Sequence, residues 1–224
     1  MAKTKAIIDD GFNSEFVADA YFDGVLEIPK LERPKDIIIP DKVIPFSKHG
    51  RSVDHSEFLV FYEHDVLFGD VLRDPASFLP VIQRFPGMVT LDCSLYRDMP
   101  LTAQSANTYR NRAIGYYYQK RGVYVIPNIR WGDERSYTTE VLPDKFAFLG
   151  APKHSIVSIG TYGCIKTHEN KHYFKQGLAA MLGELQPEVV LVYGAMPDAI
   201  FLDFLNLTTF VNYPDWTSSK RKKV

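Results

Sequence analysis

Residues 155–193 read SIVSIGTYGCIKTHENKHYFKQGLAAMLGELQPEVVLVY, and this stretch decides the fold. It opens on Ser155–Gly160 (SIVSIG), a run rich in β-branched residues. Thr167 follows as a helix N-cap, and Phe174, Leu178, Met181, Leu182 and Leu185 recur at helical spacing over His168–Leu185. Pro187 halts that helix before a second apolar run, Glu188–Tyr193 (EVVLVY). Both runs are apolar on both faces, as parallel strands covered by helices must be. The stretch is therefore a strand–helix–strand unit with a parallel crossover.

The same grammar extends towards the N-terminus. Phe58–Tyr62 (FLVFY), Met88–Asp92 (MVTLD) and Val123–Asn128 (VYVIPN) are further strand-like runs, and the five runs start 30 to 35 residues apart. That period is the length of a βα unit. Leu101–Arg121 carries Ala106, Tyr109, Ala113, Ile114 and Tyr117 at helical spacing, with Gly122 as its stop. Asp74-Pro75 predicts an N-cap and first turn of a shorter helix, kinked by Pro80. Leu207–Asn212 (LTTFVN) is a possible sixth strand, while the pattern between Asn128 and Ser155 is poor, with Pro143–Leu149 good for a helical turn or two. Residues 1–57, with Pro29, Pro34, Pro40 and Pro45 and no clear helix beyond Ser14–Phe22, are expected to be an extension packed on a core of residues 58–213. Residues 214–224 end in a basic tail whose composition has nothing to bury.

The expected class is thus α/β, with repeated βα units and a mainly parallel sheet. A compact or incomplete β/α barrel and an open doubly wound sheet both fit. The near-constant period favours the barrel, although a complete eightfold barrel typically takes about 250 residues and this chain has 224.

Composition narrows the function classes. A hydrophobic content of 46% with 13% aromatic residues excludes a chain disordered from end to end. With 26 Lys+Arg against 27 Asp+Glu, the net charge of −1 excludes a basic duplex-coating protein, though not a local basic cleft. Cys93 and Cys164 are too few for a disulfide scaffold. No apolar run approaches the ~20 residues of a membrane span. The basic start, Met1 to Lys5, leads into only three apolar residues, so it does not read as a signal peptide. A cytoplasmic protein without a membrane partner is the expectation.

In both candidate architectures, ligands bind at the carboxyl ends of the parallel strands. The residues just after each run are rich in reactive types: Glu63-His64-Asp65, then Asp92 to Asp98, Asn128 to Arg135, Gly160 to Lys166, and Tyr193 to Asp198. The entrances to the runs are turn-like instead, as at Phe85-Pro86-Gly87 and Gln186-Pro187. Ordinary loop polarity is the plain alternative to a site.

Within this set, Asp92 ends an apolar strand, where a carboxylate needs a partner or a task. With Asp133 or Glu134 it is a candidate for acid/base chemistry or for holding a divalent cation; the alternative is an Asp that caps a turn or pairs with an Arg. Arg130 and Arg135 can fork an anionic ligand, with Arg97, Asn128 and Lys166 as further polar contacts and Trp131 or Tyr96 as stacking planes. A self-satisfied ion-pair network around a packed Trp131 is the competing account. Gly160, Thr161 and Gly163, before the Thr167 N-cap, stand where main-chain amides cradle phosphate. The loop is neither a Walker A motif nor a full dinucleotide fingerprint, and a tight turn explains it equally well. A zinc site joining His64, Cys93 and Cys164 lacks ligand spacing, and His168 with His172 lacks the HExxH context.

The motifs NIRWGDERSY at residues 128–137 and GTYGCIK at 160–166, flanked by FPGMVTLDCSLYR at 85–97, carry a resemblance. From roughly Glu63 to Phe201 the chain resembles a bacterial and phage family known only as domain of unknown function 4417. The family supplies no activity, fold or catalytic residue. Its occurrence in prophages and mobile elements implies a cytosolic role near nucleic acid or phage–host conflict.

Three functions compete. The first is binding or processing of a phosphate-containing ligand, a nucleotide or nucleic acid, at the strand ends. The second is a non-catalytic nucleic-acid- or protein-binding module, which uses that face or the basic tail with Tyr116–Tyr118, Arg110 and Arg112. The third is a glycoside hydrolase-like enzyme, since carboxylates and aromatics at strand ends also suit sugars.

Overall fold

The structure, a computed structural model, describes residues 14–221. Seven parallel strands form its frame: β3 (Val43–Pro45), β4 (Phe58–Val60), β5 (Met88–Val89), β6 (Val125–Ile126), β7 (Ile156–Gly160), β8 (Val189–Tyr193) and β9 (Thr209–Tyr213). A short antiparallel ladder, β1 (Phe22–Asp23) with β2 (Ile28–Pro29), precedes them. Strands β3 to β6 pair in chain order, and so do β7 to β9. A parallel bridge between Asn128 and Ser158 links the two groups, with Ile129 N donating to Ser158 O at 2.8 Å and Ser158 N to Pro127 O at 2.8 Å.

Each strand thus lies beside its neighbour in sequence, without the reversal of order that defines a doubly wound sheet. The side chains argue for the same winding. Alternate residues Phe58, Val60 and Tyr62, Val89, Ile126, Ile156, Val189, Leu191, Tyr193 and Tyr213 all meet in one inner cluster. The residues between them, Leu59 and Phe61 or Val157, Ile159, Val190 and Val192, face outward into two separate helix-covered clusters. Period-2 alternation with a shared interior is barrel packing. No strand pairing joins β9 to β3 among the described residues. Val43, Ile37 and Val211 pack there against the inner cluster, and Tyr213 Oη donates to Pro40 O. The fold is an incomplete β/α barrel.

Three of the helices, α2, α3 and α5, come where the sequence pattern puts them, and four shorter ones were not expected. Helix α1 (Gly69–Arg73) leads to α2 (Pro75–Ile82), where Asp74 caps the Ser77 amide and Pro80 sits inside the helix. Helix α3 (Leu101–Gln119) follows β5. Helix α4 (Glu134–Tyr137) is a single turn in the stretch without clear pattern, and Phe146–Phe148 adds a 3-10 turn. Helix α5 (His168–Leu185) starts at Thr167, whose side chain accepts the Asn170 amide. Helices α6 (Asp198–Phe201) and α7 (Trp216–Arg221) complete the order.

Two segments differ from the sequence reading. Val43–Pro45, inside the segment read as an extension, is the first strand of the parallel sheet and pairs with Phe58–Val60. In the segment read as a tail, Trp216 is partly buried against the core and its main-chain N–H donates to Tyr193 Oη at 3.0 Å. The tail residues 222–224 lie outside the described residues.

Candidate functional site

The carboxyl ends of the strands open into a cleft of about 1030 Å³. Its walls come from every loop that follows β4 to β7 and from Tyr193 at the end of β8, together with Lys48 of the 3-10 turn after β3 and Trp216 of α7. Of the residues singled out from sequence, Asp92, Tyr96, Arg97, Arg130, Trp131, Asp133, Gly160, Gly163 and Lys166 line it. Asn128, Glu134, Arg135 and Thr161 are not among its lining residues.

The floor is a closed polar network. Arg130 Nε donates to Asp92 Oδ1 at 2.5 Å, and Nη2 pairs with Oδ2. Asn128 Nδ2 donates to the same Oδ1 at 2.8 Å, while Tyr62 Oη reaches Asn128 Oδ1 at 3.0 Å and Ser158 Oγ at 2.7 Å. Arg130 Nη1 donates to Gly160 O at 3.1 Å and meets Cys164 Sγ at 2.6 Å. Asp92 is only 5% exposed. Burial works against the Arg130 charge, but the Asp92 carboxylate beside it more than offsets this and holds its basicity well above the ordinary value. Asp92 is therefore a buried partner of an arginine fork, and both its oxygens are engaged.

The neighbouring candidates are committed in the same way. Asp133 caps α4 and accepts from the Arg135 amide at 3.2 Å, from Nε at 3.0 Å and from Nη2 at 2.8 Å. Glu134 is the first residue of that turn. Arg97 pairs with Glu169 at 2.7 Å and lies 4.7 Å from the centre of the Tyr173 ring. Trp131 is 8% exposed, with Phe174 at 5.1 Å between ring centres; a Cβ on Gly177 would fall 2.2 Å from its indole nitrogen. Trp131 is a core side chain with an edge on the cleft, so the stacking role does not fit it. Thr161 is buried and donates from Oγ1 to Ala195 O at 2.7 Å. Gly160 makes room for the Tyr62 ring, 2.5 Å from where a Cβ would stand. Of the surface sketched from the basic tail with Tyr116–Tyr118, Arg110 and Arg112, the three tyrosines and Arg112 are buried, Arg112 among main-chain carbonyls of Leu149, Asn128 and Ala147, while Arg110 is half-buried.

The loop from Tyr162 to Lys166 behaves differently. Gly163 takes φ +81°, which turns the chain into the N-terminus of α5. Cys164 N donates to Thr161 O at 3.0 Å. The amides of Tyr162, Gly163, Ile165 and Lys166 donate to no protein group among the described residues. The Lys166 ammonium, like that of Lys48 across the sequence, has no ion pair among the described residues. Tyr162 and Tyr96 are 56% and 60% exposed on the same cleft.

Sequence reasoning missed several lining residues. Lys48 and Trp216 come from segments without strand or helix period, and no signal in their own neighbourhood marks them. Glu63 and Asp65 stood in a strand-end loop without a motif, and Tyr162 and Cys164 stood inside the GTYGCIK motif without being given a ligand role. Glu63 accepts the Ser47 amide at 2.9 Å, and Asp215 accepts the Thr217 and Ser218 amides at 3.0 Å each, so both serve local structure. Partial burial, with the Asp92 charge adding to it, raises the Asp65 carboxyl above its usual range although Ser94 Oγ donates to it at 3.3 Å. Among the described residues, no three His, Cys, Asp or Glu side chains gather as a metal cluster. No helix among them is long and apolar enough to cross a membrane.

Comparison with known proteins agrees with the resemblance seen in the motifs. The family model described as "Domain of unknown function (DUF4417)" matches residues 20–214. The chain is 32% identical over 166 residues to the Gene 1 protein of Mycobacterium phage D29, covering 74% of this chain and 58% of the phage protein. It is 30% identical over 166 residues to the Gene 1 protein of Mycobacterium phage L5, covering 74% of this chain and 68% of that protein. The chain thus spans somewhat under two thirds of the first of these relatives. No solved structure matches the chain.

Proposed function

The chain belongs to the DUF4417 family, and from that premise we propose that its cleft binds a phosphate-bearing ligand, a nucleotide or an end of a nucleic acid, through the Tyr162–Lys166 loop. The observation that carries this reading is the set of main-chain amides in that loop which, among the described residues, donate to no protein group, set before the N-terminus of an 18-residue helix beside Lys166, which has no ion pair among those residues. Amides at a glycine turn and the positive end of a helix dipole favour an anion there. Exposed Tyr96 and Tyr162 offer faces for a base or ring.

Binding is favoured over turnover. General acid/base work needs carboxyl groups that can exchange a proton with the substrate, and Asp92 and Asp133 are each held by an arginine. The same commitment weighs against a glycosidase, whose two carboxyl groups must face the scissile bond.

The test is calorimetric titration of the full chain with inorganic phosphate and with nucleoside mono-, di- and triphosphates. Loss of one charge-assisted contact in Lys166→Ala should weaken binding about tenfold, with thermal stability unchanged. Absence of binding by all these ligands, or equal affinity in Lys166→Ala, overturns the reading. Only modest weakening as salt rises separates a small ligand in a cleft from backbone-driven nucleic-acid binding.

A further inference from the structure

The charges around the cleft are segregated. Lys48 from the turn after β3, Lys166 from the loop after β7, and Trp216 at the start of α7, just after β9, all line it. These elements share one arc of the rim: β7, β8 and β9 pair in order, and Tyr213 Oη donates to Pro40 O across the seam that brings β3 next. Neither lysine has an ion pair among the described residues. Asp215, the wall carboxylate of this arc, accepts the Thr217 and Ser218 amides. The wall carboxylates without an arginine partner among the described residues, Glu63, Asp65 and Asp98, follow β4 and β5 on the other arc. Helix α7 carries the positive sign further. Its start is fixed at the wall, since Trp216 packs on the core and its main-chain N–H donates to Tyr193 Oη at 3.0 Å. The sequence then runs Lys220-Arg221-Lys222-Lys223, four cations against the single carboxylate of Asp215 in residues 214–224. Helical rise sets Arg221, the last residue of α7, roughly 8 Å beyond Trp216 along the axis.

Resting on the phosphate reading of the Tyr162–Lys166 loop, we infer that the ligand is a single-stranded nucleic acid whose backbone runs along this arc, from that loop to α7 and the basic stretch that begins on it. A mononucleotide at the loop leaves the rest of the arc unmatched. The cleft, at about 1030 Å³, stands at the upper end of the ~300–1,000 Å³ of small-molecule pockets. A row of separate cations suits a chain of phosphates, each of which gives up its counterion on contact. Tyr96 and Tyr162, exposed on the wall, offer faces on which unpaired bases stack. The bases of a duplex keep those faces covered. The two kinds of ligand therefore differ in salt response: shallow for a nucleotide held by the loop, steep for a strand that also meets the basic stretch.

The experiment measures fluorescence anisotropy of a labelled thymidine strand of about 12 nucleotides, within the ~4–16 of single-strand sites, as the full chain is added. It is repeated at salt from about 50 to 200 mM, beside calorimetry with adenosine diphosphate. The variant combines Lys220→Gln, Arg221→Gln, Lys222→Gln and Lys223→Gln. It should bind the strand about tenfold more weakly at the lower salt, and the slope of log affinity against log salt should become shallower by about 3, since each single-strand phosphate contact carries about 0.7. Its affinity for adenosine diphosphate should equal that of the native chain, which also shows the fold intact, while Lys166→Ala should weaken both ligands. Equal strand affinity and slope in native chain and variant, with the diphosphate still bound, overturns the inference and leaves the phosphate reading standing. Absence of diphosphate binding by the native chain overturns that reading itself. A duplex of the same length, or polyglutamate of the same charge, bound as tightly as the strand reveals contact by charge alone and overturns the single-strand assignment.

Discussion

The floor of the cleft and the loop that rises from β7 hold the same kinds of residue and do opposite things with them. On the floor, Asp92, Asn128, Arg130 and Tyr62 satisfy one another, and Asp133 and Arg135 do so a few residues on. In the loop, Gly163 at φ +81° spends its geometry on exposing amides, and Lys166 has no carboxylate among the described residues. Chemical type alone is therefore a poor guide to availability. An arginine at a strand end is a ligand fork only if no carboxylate of the neighbouring strand has already claimed it.

The largest expected effect breaks the floor. Asp92→Ala and Arg130→Ala each strand a buried charge, and each should lower the unfolding free energy by about 3–5 kcal/mol. The double variant should lose much less than the sum of the two, because neither charge is then left alone. Urea unfolding of the three variants checks this. Single variants within about 0.5 kcal/mol of the wild type, as exposed positions usually are, would move the floor into the class of the loop.

A smaller effect sharpens the place of Trp131. Its indole nitrogen occupies the space where a side chain on Gly177 would begin, 2.2 Å from an ideal Cβ. Gly177→Ala should overpack that contact and cost about 1–3 kcal/mol, read by thermal or urea unfolding together with a shift in tryptophan fluorescence. An unchanged stability and spectrum would mean that Trp131 can leave the core, as a stacking residue must.

Much of the fold was legible because its signals are local. Thr167, the apolar period to Leu185 and Pro187 fix α5 by themselves, and Asp74-Pro75 fixes the start of α2. The long β-branched runs mark β7 and β8 within one residue. Other elements carry too little sequence to show a period. Val43–Pro45 is three residues long and ends on a proline. Its strand nature comes from the neighbour it pairs with, a tertiary effect on propensity. Before the basic stretch that composition singles out, Trp216, one residue after the Asp215 cap, packs against the core, a contact that the residues around it do not announce.

Sequence pointed to the carboxyl ends of the strands, where the structure has its cleft, and nine of the residues it named line that cleft, since strand ends are readable once strands are. It left open whether Asp92 and Arg130 were tools or partners, since that depends on residues 38 positions apart lying 2.5 Å from each other. It passed over Lys48 and gave Tyr162 no role of its own, since both reach the cleft only where loops converge.

The central claim is that anions are met by the loop and not by the floor. Its most direct measurement is a nitrogen–proton correlation spectrum of the labelled full chain, titrated with inorganic phosphate and then with a nucleoside diphosphate. The account predicts saturable shifts largest at the amides of Tyr162, Gly163, Ile165 and Lys166, with the side-chain Nε–H of Arg130 scarcely moved. Saturable shifts centred on Arg130 and the residues around Asp92, with the loop amides unchanged, would contradict it.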